Sequence, residues 1–392
     1  MSSTSTPNSD PNSKTNTRDT QKIVAKAPSE KEVFKTLNTN KIYIPVLIGL
    51  GVAVYFFLEK VDIPIFLEAL GRSNWLWFLA AFIMLLVRDA GYMYRIRMIS
   101  DNELSWKSSI YIILLWEFAS AVTPSVVGGT AVAVFILNRE GLSFGKSMAC
   151  VMMTALLDNL FFIVFAPLSI LISNSYDFAV FPVISANIFN SFVQEHGLQV
   201  AFYISYALTV IYAIFFAYGL IINPRGFKWL LIKATSIPFL KRFRKGAINT
   251  GNEMIISAKA LRGSGISLWI KAIFLTFFIW IARYLMLNCL IAAFSPLDAL
   301  DHVFVFSRQI AMWIVMLLSP TPGSSGAAES VFCIFYAEYL RTEFCAAVGI
   351  LWRLFYYYPY LFIGALVLPR WLIRVSKKKK GKSSASSTSK SE

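Results

Sequence analysis

The sequence predicts an all-α polytopic membrane protein of six spanning helices with two opposed re-entrant half-helix hairpins, a candidate inverted repeat. Three observations lead there. The composition is far too apolar for a soluble globule: 56% of the 392 residues are hydrophobic, with 33 Phe, 17 Tyr and 10 Trp and a mean hydropathy of +0.59. The stretches 42–58 and 198–222 carry no charge at all, and a helix needs roughly 20 apolar residues to cross a bilayer core. Two further apolar stretches are broken near their middles by residues that a helix interior rejects.

Taken in order, residues 1–40 are polar, Ser/Thr/Asn-rich and charged, with no early apolar core of the kind a cleavable signal needs. They predict a disordered tail. An integral membrane region follows over 41–370, with a first half at 41–173 and a second at 198–370. Its apolar segments fall near 42–58, 75–94, 109–138, 147–173, 198–222, 268–294, 303–340 and 345–369. Segment 109–138 is interrupted by TPSVVGGT (123–130), and 303–340 by SPTPGSSGAAES (319–330). Proline lacks an N–H and glycine is entropically costly, so each interruption ends one helix and starts another. The resulting pieces are expected to be half-length. Residues 371–392 are lysine-rich and predict a second disordered, basic tail.

Loop charge decides how these pieces fold. Residues 1–41 hold seven Lys/Arg, 95–108 three, 223–267 nine and the stretch after 369 eight, whereas 174–197 and 295–302 hold none. Basic loops face the cytoplasm. That pattern is consistent only if 109–138 and 303–340 each return to the side they came from, which places both termini, 139–146 and 223–267 inside. The expected location is the cytoplasmic membrane.

Several function classes are excluded by the same residues. The net charge of +15 collects beside apolar segments, where it orients helices and meets anionic headgroups, so nucleic acid is not an expected partner. Cys150, Cys289, Cys333 and Cys345 lie in apolar sequence without a CxxC, and His196 and His302 are the only histidines. No metal site and no cofactor is expected, and P-loop, dinucleotide and zinc-protease patterns are missing.

The breaks carry the candidate chemistry. Irregular backbone is tolerated at membrane depth only against protein or a polar cavity, and a half-helix N-terminus there attracts anions. Pro124, Gly128 and Gly129 mark the first break; Pro320, Pro322, Gly323 and Gly326 mark the second. Glu329 falls in the first turn after the second break, where its carboxylate either caps a dipole or titrates with ligand. Ionisable residues within apolar segments are costly in a bilayer. Arg88, Asp89, Glu117, Asp158, Arg283, Arg308 and Arg353 therefore read either as substrate contacts or as structural ion pairs. Arg88 and Asp89, adjacent on a helix, point about 100° apart and are not expected to pair directly. Arg353 has a fork suited to phosphate, with Tyr356, Tyr357 and Tyr360 close by. Tyr360 could equally belong to an aromatic belt. Arg139, with Lys146, flanks the return of the first hairpin, as a lipid anchor or a substrate contact.

The stretch PTPGSSGAAE (320–329), followed by WRLFYYYP (352–359), resembles the second motif of the lysylphosphatidylglycerol synthase transmembrane domain family, also called flippase-like proteins. The earlier TPSVVGGT with Arg139, Gly141 and Asp158 is similar to its first motif. Thr130 and Thr154-Ala155 stand where the family often carries acidic or acidic-Arg residues. The resemblance implies a lipid-handling membrane region, here ending in a lysine-rich tail instead of the acyltransferase domain that lipid-aminoacylating members carry. The expected function is binding and translocation of an anionic lipid, a phospholipid or a polyprenyl-phosphate carrier, by a protein that is not itself an enzyme. The alternatives are the membrane component of an aminoacyl- or glycosyl-lipid transferase system with a separate catalytic partner, and a non-transporting lipid-binding scaffold.

Overall fold

The computed structural model describes residues 63–122, 126–183, 191–317 and 327–388. The expected first span at 42–58 and the tail 1–40 lie outside these residues. Among the described residues the regular structure is helical. Thirteen α-helices follow one another: α1 Ile63–Arg72, α2 Trp75–Ile99, α3 Trp106–Val122, α4 Val126–Glu140, α5 Phe144–Asn174, α6 Ser191–Ala217, α7 Pro224–Ala234, α8 Arg244–Leu261, α9 Ile266–Phe294, α10 Ala299–Met316, α11 Ala327–Tyr336, α12 Thr342–Tyr356 and α13 Tyr358–Thr388. A π-helical turn, Tyr218–Ile222, extends α6, and a 3-10 turn, Pro238–Phe243, separates α7 from α8.

Among the described residues, six helical stretches are long and apolar enough to cross a membrane: Trp75–Ile99, Phe144–Asn174, His196–Ile222, Ile266–Phe294, Ala299–Met316 and Cys345–Val375. The chain is a multi-pass integral membrane protein. In α9 the apolar window is 72% buried against 22–28% for α2, α5 and α6, so α9 is the central helix and the others surround it. It packs antiparallel to α2, with Asn74 N donating to Ala293 O at 2.9 Å where α2 begins and α9 ends. Gly91 lets the two approach closely, since a Cβ there would lie 2.6 Å from Ile279 Cγ1. The apolar core runs through α5, α9, α10, α11 and α12. Within it Phe161 stacks on Trp280 at 5.6 Å, and Phe162 on Trp313 at 6.1 Å.

Side-chain bonds sort the helix termini into two ends of the bundle. At one, Lys146 at the start of α5 bonds Asp101 at 2.6 Å and Glu103 at 2.8 Å, both in the α2–α3 turn. Arg374 of α13 lies 4.6 Å over Tyr111, early in α3, and donates at 3.1 Å to Glu140, the last residue of α4. The start of α3 and the end of α4 are therefore neighbours, and α3–α4 is an antiparallel pair opening at this basic end. At the opposite end, Phe178, just beyond α5, stacks on Phe304 at 4.0 Å, and Trp77 meets His302 at 5.6 Å. Arg308 of α10 donates to Phe335 O of α11 and to Ala179 O, each at 3.0 Å, and pairs with Glu338 at 2.6 Å. The α10–α11 pair opens there.

Several expectations change. The first interruption is shorter than the eight residues 123–130, because α4 is already helical from Val126 and takes in Gly128, Gly129 and Thr130. Gly129 lies against Ser120 across the pair, so its small size serves helix packing rather than irregular backbone. The first arm of the second pair is not half-length: α10 has 18 residues, about 27 Å at 1.5 Å per residue. It gains about one turn upstream, starting at Ala299, from a capping box in which Asp298 and Asp301 cap each other's backbone N–H. The span expected at 345–369 bends at Tyr357 (φ −121°, ψ −56°), just before the Tyr358-Pro359 step. The helical backbone of α13 reaches Thr388, into the tail expected to be disordered, and starts from a firm anchor: Trp371 is fully buried and donates to Glu140 at 2.6 Å.

Candidate functional site

Two helix faces build the site. On α2, Arg88, Tyr92 and Arg95 recur at spacings of four and three, so they line one face. On α9, Thr276, Trp280 and Arg283 do the same. Antiparallel packing brings the faces together into a polar, aromatic seam inside the bundle.

At the basic end of the seam, Arg95 Nη1 bonds Asp158 Oδ1 of α5 at 2.6 Å and donates to Thr276 Oγ1 at 3.0 Å. Trp280 Nε1 donates to the same carboxylate oxygen at 3.0 Å. One turn along, Tyr92 lies under the Arg95 guanidinium at 5.1 Å, and its hydroxyl accepts from Arg283 Nη1 at 2.9 Å. Arg283 Nη2 donates to Tyr356 Oη of α12. Its guanidinium sits 4.7 Å from the Trp280 ring, 4.3 Å from Tyr356 and 5.4 Å from Trp313 of α10. Further along, Arg88 is fully buried and donates to Asp89 Oδ1 through Nε at 3.0 Å and Nη2 at 2.7 Å. Arg88 also donates to Tyr360 Oη of α13, and that hydroxyl donates to Asp89 Oδ2 at 2.6 Å. Glu117 of α3 adds its negative charge to the surroundings of Arg88.

The charges in this seam are unevenly matched. Arg88 has Asp89 and Arg95 has Asp158. Arg283 is buried with phenol oxygens and aromatic faces around it, and no carboxylate lies within ion-pair distance among the described residues. Beside it is a cavity of about 10 Å³, lined by Arg283, Tyr284, Gln309 and Met312 together with Trp313, Trp352 and Tyr356. That is room for about one water. Tyr284 Oη and Gln309 Oε1, both buried, make no hydrogen bond among the described residues. The corner thus offers a cation, a hydroxyl and an amide oxygen, framed by four large aromatic rings. Of these, Arg283 and the Tyr284 hydroxyl can donate to an oxyanion, whereas the Gln309 oxygen only accepts and suits a donor such as a bridging water.

The candidates read from the sequence distribute unevenly over this geometry. Asp158 and Tyr356 are in the seam, as are Arg88, Asp89 and Arg283. Tyr360 belongs to the Arg88 cluster and not to an interfacial belt. Arg88 and Asp89 pair directly, against expectation. Their Cβ vectors diverge, but the long arginine side chain folds back to its neighbour. Arg353 is 1% exposed and lies 4.4 Å from the Tyr357 ring, whose hydroxyl donates at 3.0 Å to Ala121 O, two residues before the first interruption. Arg139 stays at the basic end, 5.1 Å over Phe135. Pro124, Pro320, Pro322, Gly323 and Gly326 lie outside the described residues. The same holds for the side chain of Glu329, third residue of α11, and for the surroundings of Gly128.

Sequence reasoning missed Arg95, which it assigned to a basic loop; α2 runs on to Ile99 and buries it. It also missed Tyr92, Trp280, Gln309 and Trp313. The spacing Arg88–Tyr92–Arg95 was a usable signal, since three polar groups on one face of an apolar helix need polar company.

Comparison with known proteins agrees with the helical architecture. The family described as lysylphosphatidylglycerol synthase TM region matches residues 42–364. The chain is also similar to a UPF0104 membrane protein of Archaeoglobus fulgidus, with 24% identity over 341 residues, covering 84% of this chain and 97% of that protein. No solved structure matches.

Proposed function

This chain belongs to the lysylphosphatidylglycerol synthase TM region family, and from that premise we propose that it binds an anionic lipid inside the bundle and carries it between leaflets. One observation carries the reading: Arg283 is a buried cation with no carboxylate in ion-pair distance among the described residues, next to a small cavity faced by a Tyr284 hydroxyl that makes no hydrogen bond among them. An unmatched charge in the interior of a membrane protein costs several kcal/mol, so such a residue is kept for a counter-charge that comes and goes. A lipid phosphate supplies that charge, and the surrounding Trp and Tyr rings accept the first carbons of glycerol or isoprenoid.

The paired helices support the translocation step. The α3–α4 pair opens at the basic end and α10–α11 at the opposite end, which suits two re-entrant elements related as an inverted repeat in the cytoplasmic membrane. Tyr357, reaching from the bend before α13 to Ala121 O, ties the second half to the approach of the first interruption. On this reading the chain is a carrier, and Asp89 and Asp158, held by Arg88 and Arg95, serve structure. Any transferase chemistry falls to a separate partner.

The test is leaflet exchange in proteoliposomes. Arg283→Gln should lower exchange of an anionic phospholipid or a polyprenyl phosphate by about tenfold or more, since a charge-assisted bidentate contact is lost. Anionic lipid should raise the melting temperature of the wild-type protein in detergent and not that of the variant. Exchange at the wild-type rate by well-folded Arg283→Gln would remove this residue from the lipid's path.

A further inference from the structure

The face that α7 turns away from the bundle is neither polar nor plainly apolar. Asn223 (φ −141°, ψ 85°) ends the π turn after α6, and its side chain caps α7 by accepting from Gly226 N at 2.8 Å. The chain folds back sharply enough that buried Phe227 packs with Phe216, Leu220 and Met254. Lys228 bonds Asn252 of α8 at 2.7 Å, and Gly251 lets α8 lie close against it. One side of the segment is thereby fixed. On the free side Trp229 is 57% exposed, Ile237 56%, Phe243 52% and Leu230 38%. Between and beside them stand exposed Arg225, Lys233, Lys241, Arg242, Arg244 and Lys245, with no Asp or Glu from 223 to 252. Lys233 Nζ lies 4.8 Å over the Trp229 ring and Arg242 Cζ 4.7 Å over Phe243, so cationic stems run along aromatic faces.

Large apolar side chains left in water are unfavourable, and cations crowded together repel one another. Both penalties vanish on a surface that is apolar below and negatively charged above. The place in the chain selects that surface over an acidic protein: α7 starts two residues after Ile222, the 74%-exposed last residue of a membrane-crossing helix. We infer that residues 224–245 form an in-plane foot resting on an anionic leaflet, with Trp229, Leu230, Ile237 and Phe243 at the headgroup–acyl boundary and the six cations on lipid phosphates. The foot gathers anionic lipid around the bundle whether or not the protein carries it.

The experiment uses the full-length protein with its four native cysteines replaced and Leu230→Cys labelled by an environment-sensitive fluorophore. It is placed in nanodiscs of mixed zwitterionic and anionic phospholipid, one or the other brominated high on its acyl chains. Emission should shift to the blue and fall about twofold or more, further when the bromine is on the anionic lipid. High salt should abolish that preference. So should the variant combining Lys233→Gln, Lys241→Gln, Arg242→Gln and Arg244→Gln, at about fivefold in local lipid affinity per cation removed. Water-like emission without quenching would overturn the inference and leave the face to a soluble acidic partner. Equal, salt-insensitive quenching by both lipids would overturn the anionic part and leave only an apolar anchor.

Discussion

Arg95 and Arg283 face each other across the α2–α9 packing, share Tyr92 between them, and differ in one respect: Asp158 neutralises only the first. Removing a carboxylate from a buried pair leaves its cation stranded, whereas removing an unmatched cation does not. Asp158→Asn should therefore lower stability by about 2–4 kcal/mol, the upper range being tempered by partial solvent access of that carboxylate. Combining it with Arg95→Met should recover most of the loss, because the stranded charge is gone. Arg283→Gln should leave the melting temperature unchanged or higher. Denaturation in detergent measures all three, and a large loss of stability in Arg283→Gln would mark that arginine as structural. Trp280 couples the two sites, bonding Asp158 through its indole N–H while stacking beside Arg283. Changes at Asp158 should for this reason also slow lipid exchange.

Helices approach one another most closely where a side chain is missing. At Gly364 of α13 a Cβ would fall 2.3 Å from both Cβ and Cγ of Phe118 on α3, too near for any rotamer change to relieve. Gly364→Ala should push α13 off α3 and cost about 1–3 kcal/mol, read as a lower melting temperature. The contrasting position is Gly71 in α1, where nothing lies within 4 Å of an added Cβ. There Gly71→Ala should be neutral or add up to about 1 kcal/mol, because alanine loses less backbone entropy in a helix. Equal effects at the two sites would mean that α3 and α13 do not pack as described. The close contact matters for the site as well, since α13 carries Tyr360 to Arg88, and Tyr357 at the bend just before it reaches the end of α3.

For the molecule as a whole, one end of the bundle carries the basic loops 95–108 and 223–267, and the positive-inside pattern predicts that this end faces the cytoplasm. Ser175, after α5, and Ser236, after α7, are exposed and separated by the single crossing of α6. In a chain without its native cysteines, Ser175→Cys should react with an impermeant maleimide on intact cells. Ser236→Cys should react only after the membrane is opened. The reverse pattern, Ser236→Cys reactive on intact cells and Ser175→Cys protected, would break this orientation and, with it, the proposed return of the α3–α4 pair to its own end. The helix after the first pair carries the half-buried Asp158, and the helix after the second carries the buried Arg353.

The class of the protein was legible in the sequence because crossing a membrane is a demand on composition: long uncharged stretches have one stable solvent, and basic loops have one preferred side. The family motifs around 123–130 and 320–329 were legible too, since proline and glycine act locally. Asp158, Arg283 and Tyr356 stood out as polar groups in apolar helices, but their roles did not. Which charge is matched depends on neighbours 63 to 181 positions away, as with Arg95, Asp158 and Thr276, and no local pattern encodes such distances. The pairing of Arg88 with Asp89 and the extension of α10 to a full 18 residues were decided by side-chain reach and by a capping box. The seam exists only because α2 and α9 pack antiparallel at a register set by Gly91 and Ile279. That register buries Arg283 with no acid in ion-pair distance among the described residues, and a property fixed by packing could not be read from the order of residues alone.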